Sequence, residues 1–149
     1  MIAPTIASMA LPVDLTPPAP PPGDGEMSGG WKATVTLTWI GVVIGLASLW
    51  AVSRQVGLST WWLGPPANGR HPVINLVPFV APSLALILAI GGSHRTWKVG
   101  ILAGAVIMLI GAVDLGRVTR LGVVEIVLGL AGAGSSLASW IGTPRATSP

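Results

Sequence analysis

Hydrophobic positions along this chain gather into four long runs, and the Lys and Arg residues stand mostly at the ends of those runs. The first run, residues 33–53, reads ATVTLTWIGVVIGLASLWAVS; it is free of charge and bracketed by Lys32 and Arg54. About twenty residues at a rise of 1.5 Å span the roughly 30 Å hydrocarbon core of a bilayer. The second run, residues 73–90, is also uncharged but carries Pro78 and Pro82. Each proline removes a backbone donor and crowds the preceding turn, so a kink is expected there. The third run covers residues 99–116 and the fourth 121–142, with only Arg-Val-Thr-Arg, 117–120, between them. A single continuous helix would strand Arg117 and Arg120 in mid-membrane at a cost of several kcal/mol, so an antiparallel hairpin is predicted. The pattern therefore predicts an all-α membrane protein, a four-helix transmembrane bundle occupying residues 31–142.

Residues 1–30 read differently. The run Pro17-Pro18-Ala19-Pro20-Pro21-Pro22 favours polyproline II, and Gly23, Gly25, Gly29 and Gly30 loosen the stretch between it and the first apolar run, so a disordered Pro/Gly-rich tail is expected. The segment lacks the basic start and the uninterrupted apolar stretch of a secretory leader. Residues 143–149 read as a short polar tail.

An even number of spans puts the N-terminal tail, the second connection and the C-terminal tail on one membrane face. Trp31, Trp97 and Trp140 then fall at that face, and Trp50, Trp61 and Trp62 at the other, as expected for tryptophan at the two interfaces. Trp39 alone is left inside a run. Trp61-Trp62 is expected to lie in the headgroup layer, with Gly64-Pro65-Pro66 turning the chain. The Lys and Arg count ties, with Lys32, Arg95, Lys98 and Arg145 on the tail face against Arg54, Arg70, Arg117 and Arg120. The missing leader tips the expectation toward both termini in the cytoplasm of a cell-membrane protein.

Composition agrees with the pattern. Of 149 residues, 51% are hydrophobic and 9% charged, where a soluble domain is about a quarter charged. So little charge leaves lipid as the natural surrounding. The net charge of +3 is spread thinly over span ends, and no basic face or aromatic-interleaved motif points to nucleic acid. The chain has no cysteine, which excludes disulfides, thiol catalysis and cysteine–zinc sites. His71 and His94 read as loop residues, and no cofactor is expected. The bias toward alanine, glycine and valine, with arginine over lysine, suggests a GC-rich bacterial source.

Candidate chemistry is sparse. No nucleophile–base arrangement or phosphate loop surrounds the serines or Gly91-Gly92, so the chain does not read as an enzyme. The candidate site is an intramembrane charge cluster of Asp114, Arg117, Arg120 and Glu125. Asp114 and Arg117 are three apart and can share a helix face, while Arg120 can fold back toward either acid. Ion pairs pinning the hairpin turn are the expected structural role, and proton or ion handling the functional one. Small residues at four-residue spacing, Gly41 with Gly45 and Gly100 with Gly104, followed by Gly111, Gly129, Gly132, Gly134, Ser135 and Ser136, permit close helix approach. Broken helices form ion sites in transporters, but the Pro-bearing second run with Asn75 and Ser83 has no matching partner.

These readings lead to a non-enzymatic accessory or scaffold subunit of a membrane assembly. Its expected partners are the lipid bilayer and either a second copy or another membrane protein. The alternative is a small transporter or pore-forming oligomer, proton- or ion-conducting or holin-like.

Overall fold

The structure is a computed structural model and describes residues 27–64 and 72–142. The proline run, Pro65-Pro66, Arg70, His71 and the C-terminal tail lie outside the described residues.

Four helices come in order: α1 Gly29–Val56, α2 Pro72–Gly91, α3 Thr96–Leu115 and α4 Thr119–Ile141. All four are long and apolar enough to cross a membrane. They run up and down around a ring, α1 packing on α2 and α4, and α3 on α2 and α4, with the α3–α4 contact the most extensive. The result is the expected all-α, four-helix transmembrane bundle of a multi-pass membrane protein.

Helix ends depart from the apolar runs by a few residues, and at α1 caps set them. α1 begins at Gly29, inside the segment expected to be tail, behind Ser28, whose side chain accepts from the Trp31 N–H. It ends at Gly57, whose φ of +69° is a conformation glycine adopts without a Cβ clash. Its 28 residues make a helix of about 42 Å, longer than the hydrocarbon core. α2 is unbroken across Pro78 and Pro82, which both face the interior. The α3–α4 turn is only residues 116–118, since Thr119 and Arg120 already belong to α4.

The outside of the bundle is apolar. Leu37, Ile87, Leu102 and Leu109 are among the large side chains left well exposed. Hydroxyls in the same region are satisfied locally: Thr38 Oγ1 donates to the Thr34 carbonyl at 2.9 Å and Ser48 Oγ to the Ile44 carbonyl at 2.8 Å. Such back-bonding lets a polar residue sit against lipid without an orphaned donor.

Glycine fixes the α3–α4 interface. An added Cβ on Gly104 would stand 2.6 Å from the Gly129 carbonyl oxygen, and one on Gly129 2.7 Å from the Gly104 carbonyl oxygen. Gly111 and Gly122 repeat the reciprocal arrangement at 2.7 and 2.6 Å. Two turns separate the paired positions on each helix, so one antiparallel register brings both pairs together. Backbones this close gain dispersion and Cα–H···O contacts, which drive helix association where lipid is as apolar as leucine.

Trp39, the tryptophan left inside the first run, fills the bundle interior. It is fully buried, its ring lies against Gly132 and Gly100, and its Nε1–H donates to Ser136 Oγ at 3.2 Å. With Val35, Val42, Leu46 and Ile107 it forms a continuous apolar core through the middle of the molecule. At the tail face, Trp97 and Trp140 stack with centroids 4.9 Å apart, and Trp31 packs beside Gly142. At the opposite face Trp61 is half-buried, while Trp62 turns inside the bundle, fully buried and clustered with Leu63 and Ile110. Folding the loop inward gives the indole a hydrogen-bond acceptor as well as apolar contact, which a headgroup position would not combine.

Candidate functional site

The buried end of the bundle is built from the segment after α1 and from the α3–α4 hairpin. Past Gly57, the Leu58 N–H bonds to the Ser53 carbonyl at 3.1 Å, and Ser53 Oγ donates to the Leu58 carbonyl at 2.6 Å. A tight turn comes next, in which the Leu63 N–H donates to Thr60 Oγ1 and the Gly64 N–H to the Thr60 carbonyl. Arg54 Nη2 holds the Leu63 carbonyl at 3.1 Å. Together these bonds press residues 60–63 into the mouth of the bundle, where the Trp62 ring meets Phe79 edge-on at 6.2 Å.

Asp114 and Glu125 lie there, both fully buried. Asp114 is the penultimate residue of α3, and Glu125 lies about 9 Å along α4 from its start, at 1.5 Å per residue. Asp114 Oδ1 accepts from the Trp61 backbone N–H at 2.9 Å. Glu125 Oε1 accepts from Trp62 Nε1–H at 3.2 Å. The two carboxyl groups are close enough to interact directly. Their second oxygens, Asp114 Oδ2 and Glu125 Oε2, are buried and unpartnered. Trp61 Nε1 and Asn75 Oδ1, at the same end of the bundle, share that condition.

The four residues of the expected charge cluster thus separate. Asp114 and Glu125 come together, while Arg117 and Arg120 are exposed around the turn. Among the described residues neither carboxylate has an ion-pair partner, and Arg117 acts on Asp114 only as a more distant charge. The ion pairs expected from spacing do not form. Long arginine stems beside a turn can keep their heads in water, whereas pairing inside would require desolvating them. His94 is exposed on the tail face.

Trp61 and Trp62 are the site residues that sequence reasoning missed. A signal existed: parity places the 54–71 connection and the 117–120 turn at the same membrane face. Two membrane acids without paired cations need donors, and the neighbouring tryptophans carry them.

A proton suits this arrangement better than a metal ion. Only two carboxyl oxygens are free, whereas hard cations take six or more oxygen ligands, and among the described residues no group of three His, Cys, Asp or Glu is placed to hold a metal. A single proton shared by the pair would supply a donor that these buried oxygens lack.

No protein-family model matches the chain, and neither does any curated protein or solved structure, so the geometry of this pair is what functional assignment rests on.

Proposed function

We propose that this is a non-enzymatic accessory protein of a membrane assembly, whose working site is a proton-binding carboxyl pair, Asp114 and Glu125. The observation that carries the proposal is the pair itself. Two fully buried carboxyl groups lie close together, each tied by one oxygen to a tryptophan N–H, with the other oxygen unpartnered and no cation paired among the described residues. Ionisable groups inside a membrane are expensive to keep and mark proton or ion chemistry by default. The pair lies at one end only. Trp39, Leu46 and Ile107 fill the interior beyond it, which favours proton uptake and release at one face over passage through the bundle. The transporter and pore alternatives therefore have less support than a proton-responsive accessory subunit.

Docking on another membrane protein is supported by the outer face of α2. There Leu76, Phe79, Val80, Ser83, Leu84 and Ile87 line an open, almost wholly apolar groove of about 380 Å³. We further propose that both termini face the cytoplasm, which places the carboxyl pair near the opposite surface.

The test is a proton count. Wild type and Asp114→Asn/Glu125→Gln are placed in lipid nanodiscs in weakly buffered medium, and uptake is followed with a pH indicator through an acid titration. The wild type is expected to take up one proton in a step that the variant lacks, followed by a second on further acidification. Equal counts at every pH would defeat the proposal.

A further inference from the structure

The carboxyl pair is covered, and the cover has the construction of a moving part. Residues 58–63 lie between Gly57 and Gly64, whose φ values of +69° and +66° place both in the left-handed region. Glycines at both ends can absorb the backbone rotation of a swinging segment, the role of hinge residues in closing loops. Between them, the segment's polar contacts to the hairpin are made to the two carboxyl groups: Trp61 N–H to Asp114 and Trp62 Nε1–H to Glu125. Trp62 and Leu63 are fully buried under these bonds.

We infer that residues 58–63 form a lid over the Asp114–Glu125 pair, shut while a proton bridges the two carboxyl groups and withdrawn when both are charged. The inference rests on the proton-binding reading of the pair and adds its regulation. The physical link is solvation. With the lid shut, two negative charges would share a dry site in which one N–H serves each carboxylate, and Asp114 Oδ2 and Glu125 Oε2 would stay buried without a donor. Repulsion and lost hydration then both favour letting water in. One bridging proton removes a charge and supplies a donor, so the shut state becomes the favoured one. Proton occupancy and lid position are therefore two readouts of one equilibrium.

Among the described residues the charged groups around the pair are few. Arg54 from α1 holds the lid at the Leu63 carbonyl. Arg117, in the α3–α4 turn, is a more distant charge on Asp114, and Arg120 of α4 is exposed. α2 carries no titratable side chain. Among the described residues the pair's own proton is thus the main variable beneath the lid.

The absence of native cysteine makes the test clean. Leu63→Cys is placed in the buried lid and Gln55→Cys, on the exposed end of α1, serves as reference. Both proteins, in nanodiscs, are labelled with a membrane-impermeant methanethiosulfonate over a pH series. Taking the ratio of the two rates removes the intrinsic pH dependence of the thiol. The ratio is expected to rise about tenfold from the acid to the alkaline side of the proton-uptake midpoint. It should stay flat in the Asp114→Asn/Glu125→Gln background, where both acceptor oxygens remain but no charge can develop. A flat ratio in the parent, or the same rise in the neutral background, would overturn the lid. Hydrogen exchange of residues 58–63 in the unsubstituted protein, corrected for intrinsic rates, guards against a misfolded Leu63→Cys. Exchange is expected to quicken above the midpoint, and constancy there also counts against the lid. Proton uptake with an unresponsive segment would remove the lid and leave the proton site standing, whereas absence of uptake removes the site itself.

Discussion

At the scale of single residues, polar groups that find partners away from water set the character of the molecule. Trp39 is the simplest case. Trp39→Phe keeps a ring in the hole above Gly132 but deletes the bond to Ser136 Oγ. Interhelical hydrogen bonds in membranes average about 0.6 kcal/mol and reach about 1.7. Reversible unfolding in mixed micelles should show a loss in that range, while a larger loss would mean that ring packing also depends on the N–H. Glu125 invites a sharper comparison. Glu125→Gln retains an acceptor for Trp62 Nε1–H and should fold normally, whereas Glu125→Ala orphans that donor and should destabilise the bundle by about 2 kcal/mol. Equal stability of the two would indicate that the bond contributes nothing. The acids themselves were legible in the sequence, because charges are rare in such runs and conspicuous. Their partners were not. Spacing along a helix shows which residues share a face, and it correctly put Arg117 near Asp114 in the chain. It does not show whether an arginine turns inward or keeps its head in water, nor that a tryptophan from a distant loop arrives first.

At the scale of elements, glycine positions separate into those that set a contact and those that do not. Gly104→Ala drives a Cβ to within 2.6 Å of the Gly129 carbonyl, so α3 and α4 must move apart, at a cost of about 1–3 kcal/mol. Gly41→Ala meets nothing within 4 Å and should be neutral or stabilising by up to about 1 kcal/mol. The same unfolding assay ranks them, and an equal cost for both would contradict the α3–α4 register. The four-residue spacing in the sequence marked Gly41 and Gly104 alike. It could not tell them apart, because spacing does not say which face of a helix meets a neighbour. Gly122 was passed over because its partner, Gly111, lies across the hairpin and shares no local pattern with it. The spans were readable within a few residues, since length and lack of charge are sufficient to define a membrane helix. Their ends shifted where Ser28 and Gly57 cap α1.

At the scale of the whole molecule, the bundle has two unlike ends: stacked tryptophans at the tail face and buried carboxyl groups at the other. The tryptophan sorting by parity anticipated the first end, while the burial of Trp62 at the second depended on tertiary contacts with Phe79 and Ile110. Topology can be checked directly. Gly30→Cys and Gly116→Cys add side chains where nothing lies within 4 Å and should label with an impermeant maleimide from opposite sides of intact cells. Gly30→Cys is expected to react only after permeabilisation, and labelling of both from one side would refute the four-span arrangement. The carboxyl pair is the claim on which the functional account stands, and infrared difference spectroscopy of the protein in nanodiscs addresses it without a reporter group. On acidification the wild type should gain carboxylic C=O intensity, with matching loss of carboxylate bands, beyond that given by Asp14, Asp24, Glu26 and the C-terminus, and this excess should be missing from Asp114→Asn/Glu125→Gln. Identical difference spectra from the two proteins would contradict the account.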